Sequence, residues 1–236
     1  MFGFNTKKRL AQTGILDGLT DFHTHILPGV DDGIQSMEES LKVLADYESL
    51  GIKRVVVTPH IMEEYPQNTT TFLRARFDEL RKAYTGSIEI SLGAEYMMDN
   101  RFATLLDTRD LLPIWDRYLL IETAFVSPPL QLMERLEEVR SKGYFAVLAH
   151  PERYTYLQAD DYQKLKEAGI LFQLNLLSLV GEYGKTVKTK AKEVLNAGYY
   201  DFIGTDIHNQ DHHIQRISRC KWGNKEVKQV LRIKNR

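Results

Sequence analysis

The stretch Lys-Arg-Val-Val-Val-Thr-Pro-His, residues 53–60, contains three consecutive valines and ends in a histidine. β-Branched residues favour strands, so the run Arg54–Thr58 predicts a buried strand. A helical pattern, Ser36 to Gly51, precedes it, and another follows from about Thr70 to Tyr84. This stretch therefore indicates one strand between two helices, the repeating unit of a parallel α/β fold.

The same alternation recurs along the whole chain. Seven apolar strands are predicted, at Leu19–Phe22, Arg54–Thr58, Ile88–Leu92, Tyr118–Ile121, Phe145–Ala149, Ile170–Leu174 and Phe202–Gly204. The helices that follow them are predicted at Ser36–Gly51, Thr70–Tyr84, Arg101–Leu106, Gln131–Lys142, Asp161–Ala168, Thr189–Ala197 and Lys225–Ile233. Seven units of similar size favour a closed TIM-like barrel over an open doubly wound sheet. The open sheet has no G-x-G-x-x-G phosphate motif to support it.

We expect residues 1–17 to be a polar N-terminal extension and residues 18–236 to form a single barrel domain. The chain has 236 residues, with 31 Lys and Arg against 32 Asp and Glu. That near balance gives no overall electrostatic case for nucleic-acid binding. No apolar run approaches the ~18–20 residues of a membrane span. A lone cysteine, Cys220, and the absence of a signal-like N-terminus predict a cytoplasmic protein.

Ligand-type side chains follow six of the seven predicted strands. They are His23, His25, Asp31, Asp32, His60, Glu95, Glu122, His150, Asp206 and His208. A single histidine after a strand is more often a loop or core residue than a metal ligand. In a barrel, however, all strand C-termini meet on one face, and alternate residues such as His23 and His25 point the same way. The combination predicts a metal site at the C-terminal ends of the strands.

Imidazole mixed with carboxylate, without thiolate, suits Mn²⁺, Fe²⁺ or Zn²⁺. These ligands are too many for one ion and sufficient for two or three, with Glu95 as the expected bridging carboxylate. Such a cluster favours phosphate-ester hydrolysis, in which bound divalent ions activate water and neutralise phosphoryl charge. Arg153 is a candidate phosphate-binding residue, although a surface ion pair is the alternative. A cysteine phosphatase is excluded, because Glu226 stands where C-x5-R would need an arginine after Cys220.

Taken together, seven short motifs resemble the PHP (polymerase and histidinol phosphatase) superfamily. They are Asp21-Phe-His-Thr-His25, Val30-Asp-Asp-Gly33, Thr58-Pro-His60, Gly93-Ala-Glu95, Leu120-Ile-Glu122, Ala149-His-Pro-Glu-Arg153 and Gly204-Thr-Asp-Ile-His208. Their order and spacing are most similar to the bacterial manganese-dependent protein tyrosine phosphatases of capsular and exopolysaccharide biosynthesis. The resemblance extends from about residue 19 to residue 213.

The resemblance implies a distorted (βα)7 barrel with three metals. One would be held by His23, His25, Glu95 and Asp206, a second by Glu95, Glu122 and His150, and a third by Asp32, His60 and His208. Asp31 would then support a ligand or the loop, and Arg153 matches an arginine that binds phosphate. Members of the family carry a second arginine after the last histidine motif. Here His213 or Arg216 stands in its place.

The resemblance also implies the reaction: a metal-bridging hydroxide hydrolyses phosphotyrosine on the tail of an autophosphorylated kinase of polysaccharide assembly, with Mn²⁺ as the expected ion. Two alternatives stay open. One is a small-molecule phosphatase, such as a histidinol-phosphate phosphatase, although Glu122 stands where that branch commonly has a histidine. The other is a catalytically silent, metal-containing barrel that binds a partner. The oligomeric state is not predicted.

Overall fold

The computed structural model describes residues 7–234, which form an α/β fold with curled parallel sheets. The strands are β1 (Lys8–Arg9), β2 (Thr20–Thr24), β3 (Arg54–Val57), β4 (His60–Ile61), β5 (Glu89–Leu92), β6 (Glu95–Met97), β7 (Tyr118–Glu122), β8 (Phe145–Leu148), β9 (Leu171–Asn175), β10 (Phe202–Gly204) and β11 (Lys221–Trp222). The helices are α1 (Met37–Ser49), α2 (Thr70–Ala83), α3 (Asn100–Thr108), α4 (Leu132–Ser141), α5 (Ala159–Glu167), α6 (Gly184–Ala197), α7 (Gln210–Arg219) and α8 (Asn224–Lys234).

The seven predicted strands and seven predicted helices are all present, with ends that differ by a few residues. Ser36 is the N-cap of α1: its hydroxyl accepts a hydrogen bond from the backbone N–H of Glu39. The largest shift is at α6, which begins at Gly184 rather than Thr189. The sequence patterns miss α7 altogether.

Parallel pairing orders the strands into two sheets. One sheet has the order β10-β9-β8-β7-β6-β4, and the other has the order β2-β3-β5. A parallel bridge between Thr24 and Ile207 joins the ends of the two sheets. Because all these strands run in the same direction, their C-terminal ends lie along one rim, where the candidate ligands are found.

Both faces of the curled sheet are buried, as expected when helices cover one side and strands enclose the other. Val55 and Val57 pack into the main core, which includes the helices, whereas Val56 lies in a small cluster with Leu120 and Val147. Successive residues of a strand point to opposite faces, so this alternation identifies the two sides of the sheet.

The N-terminal segment differs from the prediction of a polar extension. Residues 1–6 lie outside the described residues, but Leu10, Ile15 and Leu16 are at most 1% exposed and belong to the main core. Lys8–Arg9 also pairs antiparallel with Lys221–Trp222. Residues 8–16 therefore pack against the α/β unit, because burying three aliphatic side chains is favourable. Among residues 7–234, none of the helices has the length and apolar character needed to cross a bilayer.

Candidate metal centre

Nine side chains predicted as metal ligands converge on the rim formed by the strand C-termini. Five of them, His23, His25, Glu95, His150 and Asp206, are at most 1% exposed. His60 and Glu122 are also buried, whereas the side chains of His208 and Asp32 are 27% and 61% exposed. The cluster is thus closed toward the protein core and open on one side.

Four donor atoms meet at the centre of the cluster. Nε2 of His23 lies 3.1 Å from Oε2 of Glu95 and 3.3 Å from Oδ1 of Asp206. Nε2 of His25 lies 3.2 Å and 3.5 Å from the same two oxygens. The two imidazole nitrogens are 3.0 Å apart. These are the four residues that the family resemblance assigns to one metal.

The chemistry of these atoms fits a divalent cation. Within the described residues, Oε2 of Glu95 and Oδ1 of Asp206 are buried and have no hydrogen-bond partner. Buried carboxylate oxygens of native proteins normally have hydrogen-bond partners, so two that lack one and face two imidazole nitrogens are suited to binding a cation. Nitrogen and oxygen donors in this combination suit a first-row divalent ion.

The outer nitrogens of the two central histidines are held by hydrogen bonds. Nδ1 of His23 lies 2.9 Å from Oε1 of Gln173, and Nδ1 of His25 lies 2.9 Å from Oδ2 of Asp31. Such contacts fix the tautomer and direct Nε2 toward a metal. Asp31 therefore orients the candidate ligand His25, and Gln173 orients the candidate ligand His23, a contact that sequence reasoning missed.

A second group of donors surrounds Glu95 and Glu122. Nε2 of His150 lies 3.0 Å from Oε1 of Glu95 and 4.0 Å from Oε2 of Glu122. Nδ1 of His60 lies 3.2 Å from Oε2 of Glu95 and 3.1 Å from Oε1 of Glu122. The predicted set of Glu95, Glu122 and His150 is thus brought together, and His60 lies in the same group.

The third predicted set is more open. Oδ1 of Asp32 lies 3.5 Å from Nε2 of His60 and 3.6 Å from Nε2 of His208. Donor atoms of these residues and of His25 all lie within 4.8 Å of one another. The structure therefore brings the predicted third set together at the exposed edge of the cluster.

The backbone is unusual at two candidate ligands. His150 has φ 33° and Asp206 has φ 56°, both in the left-handed region. Non-glycine residues occupy this region rarely, and they concentrate at functional sites, where the surrounding structure compensates for the strain.

The charges of the cluster depend on one another. Burial by itself raises the pKa of the Glu95 carboxyl, but the imidazoles of His23 and His60 outweigh this effect, and the pKa lies well below its usual range. Burial lowers the pKa of His23, while the carboxylates of Glu95 and Asp206 raise it more strongly, to about 9. Without metal the cluster therefore retains protons at neutral pH, and a binding cation displaces them.

Arg153 borders the cluster and is firmly held. Its Nη1 donates a hydrogen bond to Oδ2 of Asp206 across 2.9 Å. Its Cζ lies 4.3 Å from the ring centroid of Phe125 and 4.5 Å from that of Tyr183, so two aromatic rings cover the guanidinium. Asn175 contributes as well, since its Nδ2 donates to both the Tyr183 hydroxyl and Oδ2 of Asp206. Sequence reasoning missed these three neighbours, because no local motif links them.

The two candidates for a second phosphate-binding cation have different surroundings. His213, in the first turn of α7, is buried at the edge of the cleft beside the cluster. Its Nδ1 lies 3.2 Å from the Asn209 carbonyl oxygen, which can only accept, and its Nε2 has no partner in the described residues. Arg216 instead donates to Glu182 across 2.6 Å and lines a different recess. Of the two, only His213 faces the cleft.

The cleft has a volume of about 390 Å³ and is open to one side. Its lining combines seven of the nine candidate ligands, all except His23 and His25, with Met62, Tyr65, Met97, Phe125 and Tyr183. The Tyr65 ring stacks on His60, with 6.0 Å between the ring centroids. A polar, cation-binding floor with apolar and aromatic walls suits a ligand that joins an anionic group to an aromatic one.

Comparison with known proteins agrees with this geometry. Tyrosine-protein phosphatase YwqE of Bacillus subtilis (strain 168) is 29% identical over 197 residues, which cover 81% of this chain and 78% of the relative. Tyrosine-protein phosphatase CpsB of Streptococcus pneumoniae is 28% identical over 232 residues, which cover 90% of this chain and 95% of the relative.

A comparison with solved structures also finds a tyrosine phosphatase among the similar chains. A chain from the crystal structures of YwqE and CpsB, described as unique metal-dependent tyrosine phosphatases, superimposes with a TM-score of 0.77 at 27% identity and covers 90% of this chain and 86% of the solved one. The phosphotriesterase homology protein of Escherichia coli shares the fold alone, with a TM-score of 0.51 and 12% identity over 91% of each chain.

The family model described as "Capsular polysaccharide synthesis, CpsB/CapC" matches residues 19–232, a range that contains every candidate ligand and Arg153. The protein therefore belongs to the CpsB/CapC family of capsular polysaccharide synthesis.

Proposed function

We propose that this protein is a metal-dependent protein tyrosine phosphatase. The observation that carries the proposal is the convergence of four donor atoms, from His23, His25, Glu95 and Asp206, beside the guanidinium of Arg153. A cation-binding floor next to a fixed arginine matches the charges of a phosphate monoester. The naming of the relatives YwqE and CpsB as tyrosine-protein phosphatases supports the same reaction.

The ligand sets that we propose are those implied by the family resemblance, with two or three ions per chain and Mn²⁺ as the preferred ion. His60 lies close enough to Glu122 to contribute to the second set as well as the third. When bound, such ions supply Lewis acidity, which lowers the pKa of water and neutralises phosphoryl charge. Fe²⁺ and Zn²⁺ suit the same donors, because imidazole and carboxylate bind all three.

Arg153 binds the phosphoryl group in this proposal. A guanidinium donates two parallel hydrogen bonds to phosphate oxygens, and it costs less to position when its orientation is already fixed. The rings of Phe125 and Tyr183 provide that fixation, and Asp206 accepts a hydrogen bond from Nη1. His213 offers Nε2 to the same cleft.

The walls of the cleft receive the tyrosine ring. Tyr65 and Phe125 provide aromatic surface for stacking, and Met62 and Met97 provide adaptable apolar contacts. The leaving phenolate has a pKa of ~10, so its departure needs little help from a general acid. The open side of the cleft leaves room for the polypeptide that carries the tyrosine.

We further propose that the two parallel sheets form one distorted (βα)7 barrel. Only Thr58 and Pro59 separate β3 from β4, and only Gly93 and Ala94 separate β5 from β6, so each pair counts as one interrupted strand. Proline lacks the N–H that a continuous ladder requires. The Thr24–Ile207 bridge supports closure of the ring.

The proposed substrate is the phosphotyrosine tail of an autophosphorylated kinase of polysaccharide assembly. The description of the matching family, capsular polysaccharide synthesis, supports this context. Histidinol phosphate is the main alternative substrate, because the same metal chemistry cleaves any phosphate monoester.

Hydrolysis by metal-stripped protein resupplied with Mn²⁺ tests the proposal, with a phosphotyrosyl peptide and histidinol phosphate as parallel substrates. We expect turnover of the peptide and little turnover of histidinol phosphate. Preference for histidinol phosphate would overturn the proposed substrate. Inactivity on both substrates with metal bound would instead favour a partner-binding barrel.

A further inference from the structure

A second recess, rich in positive charge, lies beside the proposed catalytic cleft. It has a volume of about 350 Å³ and is lined by residues of α6, α7, α8, β11 and the N-terminal segment. Its basic members are Lys7, Lys188, Lys192, Arg216 and Lys221, against a single lining carboxylate, Glu226. The chain as a whole has a formal net charge of −1, so this concentration of cations is local.

Two of the five cations are already paired, and three are not. Lys192 lies 2.8 Å from Glu226, and Arg216 lies 2.6 Å from Glu182. Among residues 7–234, no carboxylate forms an ion pair with Lys188, Lys221 or Lys7. The recess can therefore accept an anionic group without first breaking an internal ion pair.

Apolar side chains form part of the lining of the recess, beside its cations. Trp222 and Leu179 line it and are 2% and 4% exposed. Low-dielectric walls around a cationic recess strengthen its field toward an incoming anion. A concave shape of this kind fits a protruding side chain, whereas anionic membranes attract basic residues that lie exposed at a surface.

The recess lies near the catalytic cleft, although no residue lines both. Tyr183 lines the cleft, and the adjoining Glu182 pairs with Arg216 of the recess. On α7, His213 lines the cleft and Arg216 lines the recess three residues later, a rise of about 4.5 Å along the helix. An extended peptide spans about 3.3–3.6 Å per residue, so a side chain a few positions from a bound phosphotyrosine reaches the recess.

We propose that this basic recess binds acidic side chains that flank the phosphotyrosine of the protein substrate. This inference rests on the proposed function and adds to it a preference for one class of sequence. Lys188 and Lys221 make the principal contacts, because neither forms an ion pair within the described residues and they line the recess from two different elements, α6 and β11.

The test compares two phosphotyrosyl peptides that differ only in having Glu or Gln at the flanking positions, on both sides of the tyrosine. The measured quantity is the ratio of kcat/KM for the acidic peptide to kcat/KM for the neutral one, at low ionic strength. We expect a ratio of about five or more for the wild type, because each exposed charge pair contributes modestly, and a ratio near one for Lys188→Gln/Lys221→Gln. The ratio also declines as salt is added.

The matched control is Lys82→Gln/Lys164→Gln, which makes the same charge change at exposed positions outside the recess and keeps the wild-type ratio. A wild-type ratio near one, or a ratio that the Lys188→Gln/Lys221→Gln change leaves intact, overturns the inference.

Failure of the proposed function gives a different result, namely no turnover of either peptide by metal-loaded protein. Fluorescence anisotropy with labelled, unphosphorylated Glu and Gln peptides then tests the recess independently of catalysis. Binding of the Glu peptide that is lost in Lys188→Gln/Lys221→Gln supports the inference, and binding that this variant retains overturns it. Lysine-dependent binding to phosphatidylglycerol vesicles that is tighter than binding to the Glu peptide also overturns the assignment to a peptide.

Discussion

Arg153 donates a hydrogen bond from Nη1 to Oδ2 of Asp206 across 2.9 Å. The other carboxylate oxygen, Oδ1, faces the central histidines at 3.3–3.5 Å and has no hydrogen-bond partner within the described residues. One carboxylate thus joins the proposed phosphate-binding group to the proposed metal site. The two functions should nevertheless be separable by mutation, because each uses a different oxygen.

Replacing Arg153 by Ala should impair catalysis and leave metal binding intact. Loss of charge-assisted hydrogen bonds to phosphate, about 1.5–3 kcal/mol, lowers kcat/KM on a phosphotyrosyl peptide roughly 10- to 100-fold. Metal content, measured by mass spectrometry, should stay at the wild-type value. Arg219→Ala, at an exposed position on α7, is the control and should have full activity. Loss of metal from the Arg153 variant would contradict this separation.

The aromatic rings around Arg153 should contribute to catalysis through cation–π contacts with its guanidinium. Tyr183→Leu removes one ring from the guanidinium, and a cation–π contact of about 0.5–2 kcal/mol predicts a fall in kcat/KM of about 2- to 30-fold. Tyr183→Phe keeps the ring and should lower kcat/KM less than Tyr183→Leu does, because it removes only the hydroxyl that accepts a hydrogen bond from Nδ2 of Asn175. Equal falls in kcat/KM for the two variants would show that the hydroxyl of Tyr183, rather than its ring, supports catalysis.

Glu95→Gln tests the proposed bridging ligand with little change in shape. Removing the charge takes a ligand from the centre of the cluster, so metal content should fall and turnover should be lost. Glu152→Gln is the matched control, because Glu152 is equally buried but accepts hydrogen bonds from the Tyr200 hydroxyl and the Asn175 backbone.

The control variant should lose stability, by about 1–3 kcal/mol for an impaired buried hydrogen bond, and keep its metal. Thermal unfolding and metal analysis of both variants check this difference. If Glu95→Gln retained its metal and its activity, the assignment of Glu95 as a ligand would be wrong.

His213 should contribute more to kcat/KM at low pH than at high pH. Burial lowers the pKa of its imidazole, so the ring is neutral at pH 7 and becomes protonated only as the pH falls below its ordinary value of ~6.5. In the neutral ring Nδ1 carries the hydrogen toward Asn209, and Nε2 can donate to a phosphoryl oxygen only after protonation.

The ratio of wild-type to His213→Ala kcat/KM, measured with saturating Mn²⁺, should therefore rise between pH 7.5 and pH 5.5. Taking the ratio cancels effects of pH on the substrate and on metal occupancy that the two proteins share. A ratio that is constant or that falls toward low pH would exclude this role.

Local patterns predicted much of this architecture. The valine run at 55–57 and the N-cap Ser36 locate a strand and a helix, because β-branching and helix capping act over a few residues. The candidate ligands could be predicted because each follows a strand, and parallel strands bring their C-terminal residues to one rim.

Other features depend on tertiary contacts that no local pattern encodes. The rings of Phe125 and Tyr183 reach Arg153 from separate loops. Gln173 of β9 contacts His23 of β2, which is about 150 residues earlier in the chain. Helix α7 was missed because Ile214 and Ile217 are its only aliphatic residues, a weak apolar stripe. Leu10 is likewise buried by tertiary packing, which the polar composition of the surrounding segment does not predict.

The most direct test of the central claim is a metal titration of the stripped protein with simultaneous assay of phosphotyrosyl-peptide hydrolysis. Bound Mn²⁺ is counted by mass spectrometry at each point. We expect no turnover without metal and activity that rises until two or three ions are bound per chain. Full turnover by the stripped protein, or saturation with metal without any hydrolysis, would contradict it.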